Sequence, residues 1–307
     1  MAQKTKNVSG ENLAQLPEPI TSRDNRWIKL FHAALSGEGS RKSRQGADET
    51  VGIEGLRLVE TALRSKVDIP ALLFSATGAR HLPQLASWIR PDTRLLSTTD
   101  RLFAQIAGTE APQGVAALVK PHCATFDDLV TGLPLIVVLA AVQDPGNVGA
   151  LARAAEAFGA SGLAACPADG IGTANPFSPK ALRASAGSAL RVPILRGIAA
   201  PVLMAQLRVA GVRIYAACPD ESVARDIKSA PGRKPRAPWE VDWRSPSALL
   251  IGNEGAGLPA ELVRSADAIV SIPQLGAPQA DDPLDSLNAA VAGGILLYEA
   301  ARQRGLG

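Results

Sequence analysis

The sequence predicts an α/β protein built as two units, and three observations carry that prediction. Short apolar runs of strand length alternate with helix-period stretches from Val51 onward. The later runs, such as "LIVVLAAV" and "ALLIG", are apolar throughout, as expected for strands buried on both faces of a mostly parallel sheet. The length, 307 residues, exceeds one ordinary core.

Taken in order, residues 1–20 are polar, carry Pro17 and Pro19, and read as a mobile tail. In "SRDNRWIKLFHAAL" the residues Trp27, Ile28, Leu30, Phe31 and Leu35 fall at helical spacing. From Val51 the pattern gives a strand, a helix over 54–65 and a strand over 71–74. "RHLPQLASWI" reads as a helix, "TRLLST" as a strand, "TDRLFAQIAG" as a helix opened by a Thr or Asp cap, and "QGVAALVK" as a closing strand. These make one small α/β unit over residues 21–120.

Residues 121–133 read as a linker with one short helix, and residues 134–307 as the second unit. Its strands are "LIVVLAAV", "GLAAC", "RIYAAC", "ALLIG" and "AIVSI". Its helices start at Val148, lie around Lys180, over 201–209 and near Pro259, and run from Ser286 to the end. The proline-rich, basic stretch 226–247 reads as an exposed loop.

Composition narrows the class. Hydrophobic residues at 46% and charged residues at 20% describe a globular chain, and 4% aromatics make its core aliphatic. A net charge of +3 is only a weak tilt toward polyanions. Cys123, Cys166 and Cys218 stand far apart without a CxxC pair, which indicates neither a disulfide framework nor a metal site and fits a reducing cytoplasm. No stretch approaches the roughly 20 apolar residues of a membrane span, and the start lacks an apolar signal region.

Ligands of open α/β sheets bind beyond the carboxyl ends of the strands, so the glycine-marked turns there matter most. In "DPGNVGALARAAEAFG" Asn147 can cap the helix, and Arg153 stands as a lone charge among alanines and leucines. Helical side chains lean toward the N-terminus, so Arg153 and Asn147 could serve one space. In "SALLIGNEGAGLPAEL" three glycines surround Asn253 and Glu254, which is either a tight turn or a ligand loop. In "DSLNAAVAGGILLYEAARQR" Asp285 or Ser286 caps a helix with Asn288 in its first turn. The adjacent Gly293 and Gly294 imply very close packing on that helix.

"GNVGALA" matches neither a dinucleotide fingerprint nor a P-loop. Taken together and in this order, the three stretches resemble the SpoU (TrmH) family of RNA ribose 2′-O-methyltransferases, within the knotted SPOUT superfamily. The resemblance covers about residues 134–306. It extends less tightly to residues 45–120, where "GIEGLRLVETAL" is similar to the start of the family's RNA substrate-binding domain, a fold shared with RNA-binding ribosomal proteins. "SPKALRASAGSALRVPI" also resembles a segment of rRNA-directed members.

The resemblance implies a C-terminal trefoil knot, S-adenosylmethionine as the cofactor with no metal, and a homodimer with the site near the interface. It implies Arg153 as the catalytic arginine, oriented by Asn147, with Glu254, Ser286 and Asn288 completing the catalytic set. Gly252, Asn253, Gly257, Ile272 and Leu287 fall at cofactor-binding positions. Arg57, Lys180 and Arg183, with Arg41, Lys42 and Arg44, are expected to meet RNA. Ribosomal RNA, particularly of the large subunit, is the expected substrate. A tRNA methyltransferase, a non-catalytic RNA-binding protein of the same fold and a small-nucleotide enzyme are the alternatives.

Overall fold

A computed structural model describes residues 16–37, 49–65, 67–219, 234–274 and 287–305. The chain divides into Met1–Pro121 and His122–Gly307. Among the described residues no helix is long and apolar enough to cross a membrane.

The first unit carries α1 (Arg26–Ser36), β1 (Val51–Glu54), α2 (Leu56–Arg64), β2 (Asp68–Ser75), α3 (Leu82–Leu85), β3 (Arg94–Thr98), α4 (Asp100–Ile106) and β4 (Val115–Lys120). Its sheet runs β1-β4-β2-β3, with β4 antiparallel to both neighbours and β2 parallel to β3. α1 buries Ile28, Phe31, Ala34 and Leu35 against this sheet. Gly52 of β1 makes the approach possible, because a Cβ there would lie 2.7 Å from the backbone of Ala34 and Leu35.

Two expectations change in this unit. The predicted helix in "RHLPQLASWI" is one α turn between 3-10 turns, Gly78–His81 and Ala86–Trp88, since Pro83 removes a donor close to its start. The expected tail lies mostly outside the described residues, yet its last residue is ordered. The Ile20 N–H donates to the Ser97 carbonyl at 2.8 Å, and the Ile20 carbonyl accepts from Thr98 Oγ1 at 2.7 Å.

The second unit begins with α5 (Phe126–Leu129), β5 (Leu135–Ala140), α6 (Pro145–Ala157), β6 (Gly162–Cys166), α7 (Pro179–Ala184) and β7 (Ile194–Arg196). It continues with α8 (Ala200–Val209), β8 (Arg213–Ala217), β9 (Ser247–Ile251), α9 (Ala260–Ser265), β10 (Ala268–Val270) and α10 (Ala289–Gln303). All six strands are parallel, in the order β10-β8-β9-β5-β6-β7. β5, β6 and β9 are buried at every position, which explains their unbroken apolar sequences.

β7 was not predicted: three residues between Pro193 and Gly197 are too short to show a period. The segment read as a linker is packed instead. Ala124 and Leu129 belong to the core of this unit, and the Ala124 N–H donates to the Ile194 carbonyl at 2.9 Å. Of the loop 226–247, residues 226–233 lie outside the described residues. Within the rest, the buried Trp243 donates its indole N–H to the Pro238 carbonyl at 2.8 Å, so this part is not merely exposed loop.

Candidate functional site

The carboxyl ends of β5, β8, β9 and β10 lie at one edge of the parallel sheet, where the loops converge. The loop after β5 leads into α6. Asp144, not Asn147, is the N-cap of α6: its side chain accepts from the Gly146 N–H at 3.0 Å, with Pro145 in the first turn. Proline at the first helical position favours this start, and Asn147 is thereby moved into the first turn, free to bond elsewhere.

Asn147 turns inward, 8% exposed, and bonds two other segments. Its Nδ2 donates to Glu254 Oε1 at 2.9 Å, while its Oδ1 accepts from Asn288 Nδ2 at 3.0 Å. Asn288 in turn is the N-cap of α10, its Oδ1 accepting from the N–H groups of Ala290 and Val291 at 2.9 and 3.2 Å. This corrects the expectation that Asp285 or Ser286 caps this helix; both lie outside the described residues, as does the role expected of Ser286.

The orientation of both amides follows from one fact: a carboxylate only accepts. Asn147 must therefore direct its amino group to Glu254, leaving its oxygen for Asn288, whose own oxygen faces the helix N-terminus. Glu254 also accepts from the backbone N–H groups of Gln143 and Asp144, each at 3.1 Å. Burial works to raise its pKa, but the Asn147 amide and these N–H groups outweigh it and hold the carboxyl below its ordinary value. Glu254 is therefore an ionised acceptor that fastens the β5 loop to the β9 loop.

The β9 loop is closed on itself. Asn253 and Gly257 exchange backbone hydrogen bonds of 3.0 Å, and a Cβ on Gly252 would lie 2.5 Å from the Gly257 and Leu258 backbone. Asn253 spends its side chain inside the loops: Nδ2 donates to the Ala141 carbonyl, and Oδ1 accepts from Gly255 and Ala256. Ala141, at φ 59°, holds a left-handed conformation unusual for a residue with a Cβ. No sequence signal marked Ala141, because the strain exists only where the strand end meets Asn253.

Below these loops opens a cavity of about 480 Å³, a size suited to a small-molecule cofactor. Gly252, Asn253, Gly257, Ile272 and Leu287 all line it, as do Glu254 and Asn288. Ile251, Leu258, Val270 and Leu296 supply apolar walls. Cys218 also faces it, its thiol pushed up to about 11 by burial and so held protonated.

Arg153 stands apart from this junction. Six residues separate it from Asn147, or about 120° around the helix, so the two face different ways. It is exposed and, among the described residues, has no hydrogen bond or ion pair. Asn147 is held by Glu254 and Asn288 rather than aimed at Arg153. Lys180 Nζ lies 2.7 Å from Asp144 Oδ1, which ties α7 to the mouth of α6. Arg183 is exposed on α7, and Arg57 is exposed on α2 of the first unit. Arg41, Lys42 and Arg44 lie outside the described residues.

The glycine pair of α10 divides. A Cβ on Gly293 would meet Leu151 of α6 and lie 2.7 Å from Ile251 Cδ1, so α10 crosses α6 closely there. Gly294 has nothing within 4 Å of where its Cβ would be. Only one of the two is explained by packing within this chain.

Comparison with known proteins agrees with this geometry. Residues 134–298 match the family model of the SpoU rRNA Methylase family, and residues 39–117 that of the MRM3-like substrate binding domain. The chain is 30% identical to a 23S rRNA (guanosine(2553)-2'-O)-methyltransferase of Bacillus subtilis, over 84% of this chain and 90% of that protein. It is 32% identical to a 23S rRNA (uridine(2479)-2'-O)-methyltransferase of Streptomyces viridochromogenes, over 93% and 92%. An AdoMet-bound rRNA methyltransferase from Sinorhizobium meliloti superposes with a TM-score of 0.74 at 31% identity, covering 93% of this chain and 97% of that one. With its strand-end cavity and the linked Asn147, Glu254 and Asn288, this chain belongs to the SpoU rRNA methylase family.

Proposed function

We infer that this protein transfers a methyl group from S-adenosylmethionine to a ribose 2′-hydroxyl of ribosomal RNA, with the large-subunit RNA favoured. The observation that carries the reading is the Glu254–Asn147–Asn288 junction at the edge of the glycine-lined cavity. Relatives spanning nearly the whole chain are named for 23S rRNA, and AdoMet is bound in the related structures from S. meliloti and S. viridochromogenes.

The residues present fit that cofactor: apolar walls suit the flat face of its adenine ring, and the glycine loop leaves backbone groups open to its polar edges. Bound there, S-adenosylmethionine supplies an already activated methyl group, so the protein has to position a hydroxyl and give its proton an exit. Glu254 has a holding role, since three donors already occupy its carboxylate. A guanidinium has five N–H donors and no acceptor, so Arg153 suits clamping a phosphate beside the target ribose better than accepting its proton. Ser286 and Asn288 complete the acceptor side, and Lys180, Arg183 and Arg57 meet RNA phosphates. The requirement for a 2′-hydroxyl selects RNA over DNA.

A homodimer and a cytoplasmic setting are part of the same reading, as is a C-terminal trefoil knot. Val291, Ile295 and Tyr298 of α10 are 52%, 40% and 53% exposed at helical spacing, with the open Gly294 among them. The Tyr298 ring meets Phe158, the C-cap of α6, edge-on at 5.9 Å. A second copy seated there would cover the face.

The test is transfer of tritiated methyl from S-adenosylmethionine to unmodified large-subunit rRNA, small-subunit rRNA and tRNA. Label recovered in alkali-resistant dinucleotides of rRNA is expected. Cofactor binding without label in any of the RNAs would overturn the reading. Arg153→Ala is expected to abolish transfer and keep cofactor binding; near-normal turnover would remove its role.

A further inference from the structure

We infer that the groove between α1 and α4 docks one unstacked nucleotide of the substrate RNA, a role that rests on the methyl-transfer reading above. The groove encloses about 410 Å³ and is lined by Arg23, Lys29 and His32 on one side and Gln105 on the other. Its floor is Ile28, Leu102 and Ile106, each 5% exposed or less.

That combination is specific in its chemistry. An aliphatic floor accepts the flat face of a base, an amide such as Gln105 can bond a base edge, and cations at one rim suit the adjoining phosphate. Among the described residues neither Arg23 nor His32 has a hydrogen bond or ion pair. Among the described residues Lys29 is paired only with Asp24, at 2.8 Å, through side chains 62% and 90% exposed. Such a pair is weak in water, and a phosphate can displace it. Asp24 is the only acid between residues 19 and 36, and none of the groove's lining residues is acidic, so the rim is cationic.

A second group of related chemistry lies on another face of α1. The half-buried Trp27 has the guanidinium carbons of Arg26 and Arg94 at 5.3 and 5.4 Å from its ring centre. Aromatic and guanidinium planes together are the usual platform for single-stranded RNA. A duplex fits poorly, because its bases stay stacked and cannot enter a pocket of this size.

The wall is also fixed in place. α1 is capped by Asn25, whose side chain accepts from the Trp27 N–H at 2.9 Å, and is seated against Gly52. Yet α1 lies before residue 39, where the matched substrate-binding domain begins. Arg23, Lys29 and His32 therefore lie outside that domain's matched region.

The test uses the full chain and a fluorescein-labelled 12-nucleotide oligouridine, with a 12-base-pair RNA duplex as comparison. Charge reversal in Arg23→Glu/Lys29→Glu is expected to weaken oligouridine binding about tenfold or more and to flatten its salt dependence, as for lost phosphate contacts. His32→Ala/Gln105→Ala is expected to weaken oligouridine binding without changing the salt slope. Arg90→Glu, elsewhere on the same unit, is expected to leave both unchanged, and thermal unfolding checks that each variant folds.

Wild-type affinity and salt slope in the charge-reversed protein would overturn the groove, as would preferential duplex binding. Equal losses in Arg90→Glu would reduce the effect to net charge and overturn it too. The methyl-transfer reading fails separately, if the wild-type protein labels no RNA. If the wild type labels rRNA and the groove variants keep its KM, the groove alone is wrong.

Discussion

Asn288 donates a hydrogen bond of 3.0 Å to Asn147 across 141 residues of sequence, and in doing so joins the cap of the last helix to the first turn of α6. The same Asn147 side chain holds Glu254, so three distant segments share one network. Its members are not interchangeable, because each atom has a fixed donor or acceptor task.

Asn288→Asp separates the two tasks of that residue. The carboxylate keeps the cap, so stability should change by less than about 1 kcal/mol, but it faces the Asn147 oxygen with another acceptor. Methyl transfer should fall by about tenfold or more while thermal unfolding stays near wild type. Asn288→Ala loses both, and its unfolding midpoint should fall as well.

Glycines 252 and 255 of the same loop should respond oppositely to alanine. At Gly252 the new Cβ meets backbone that cannot swing aside, at 2.5 Å, whereas at Gly255 the nearest atom is Asn253 Oδ1 at 3.7 Å. Cofactor affinity measured by calorimetry should collapse in Gly252→Ala and hold in Gly255→Ala.

Acid should loosen the loop that Glu254 holds. Its folded pKa lies below the ordinary 4.5, so its contribution is complete above that value and disappears as pH falls through the depressed folded pKa. The difference in unfolding midpoint between wild type and Glu254→Gln should be constant near neutrality and shrink below about pH 4. A difference that grows on acidification would contradict this assignment.

Among the described residues, Arg304 fastens the end of α10 without an acidic partner. Its guanidinium donates to the carbonyls of Trp243, Leu133, Pro134 and Ser245, at 2.6, 3.0, 2.9 and 2.8 Å. Arg304→Ala should cost about 2 to 4 kcal/mol in denaturant unfolding, because four acceptors lose a charged donor. Arg304→Lys, which keeps the charge but not the fork, should fall between.

The exposed face of α10 predicts the assembly. Under the proposed homodimer, wild type should sediment as a dimer and Ile295→Asp as a monomer with reduced methyl transfer. An unchanged sedimentation coefficient that matches a monomer in both proteins would remove the dimer.

The sequence by itself determined five of the six strands of the second unit and their parallel character, because runs such as "LIVVLAAV" suit only a sheet covered on both faces. It also determined which stretches carry the site, since the glycines and asparagines after the strands are chemically conspicuous. It did not determine what those side chains do. Helical period leaves the first residue of a helix undefined, so Asp144 and Asn288 emerged as caps only when their bonds to the helix N–H groups could be seen. The partners of Asn147 are more than a hundred residues away, beyond any local pattern. Helical period alone turns Arg153 and Asn147 about 120° apart. Only the tertiary structure decided that Asn147 faces inward to Glu254 and Asn288 while Arg153 stays exposed, because burial depends on which side of the helix the rest of the chain covers.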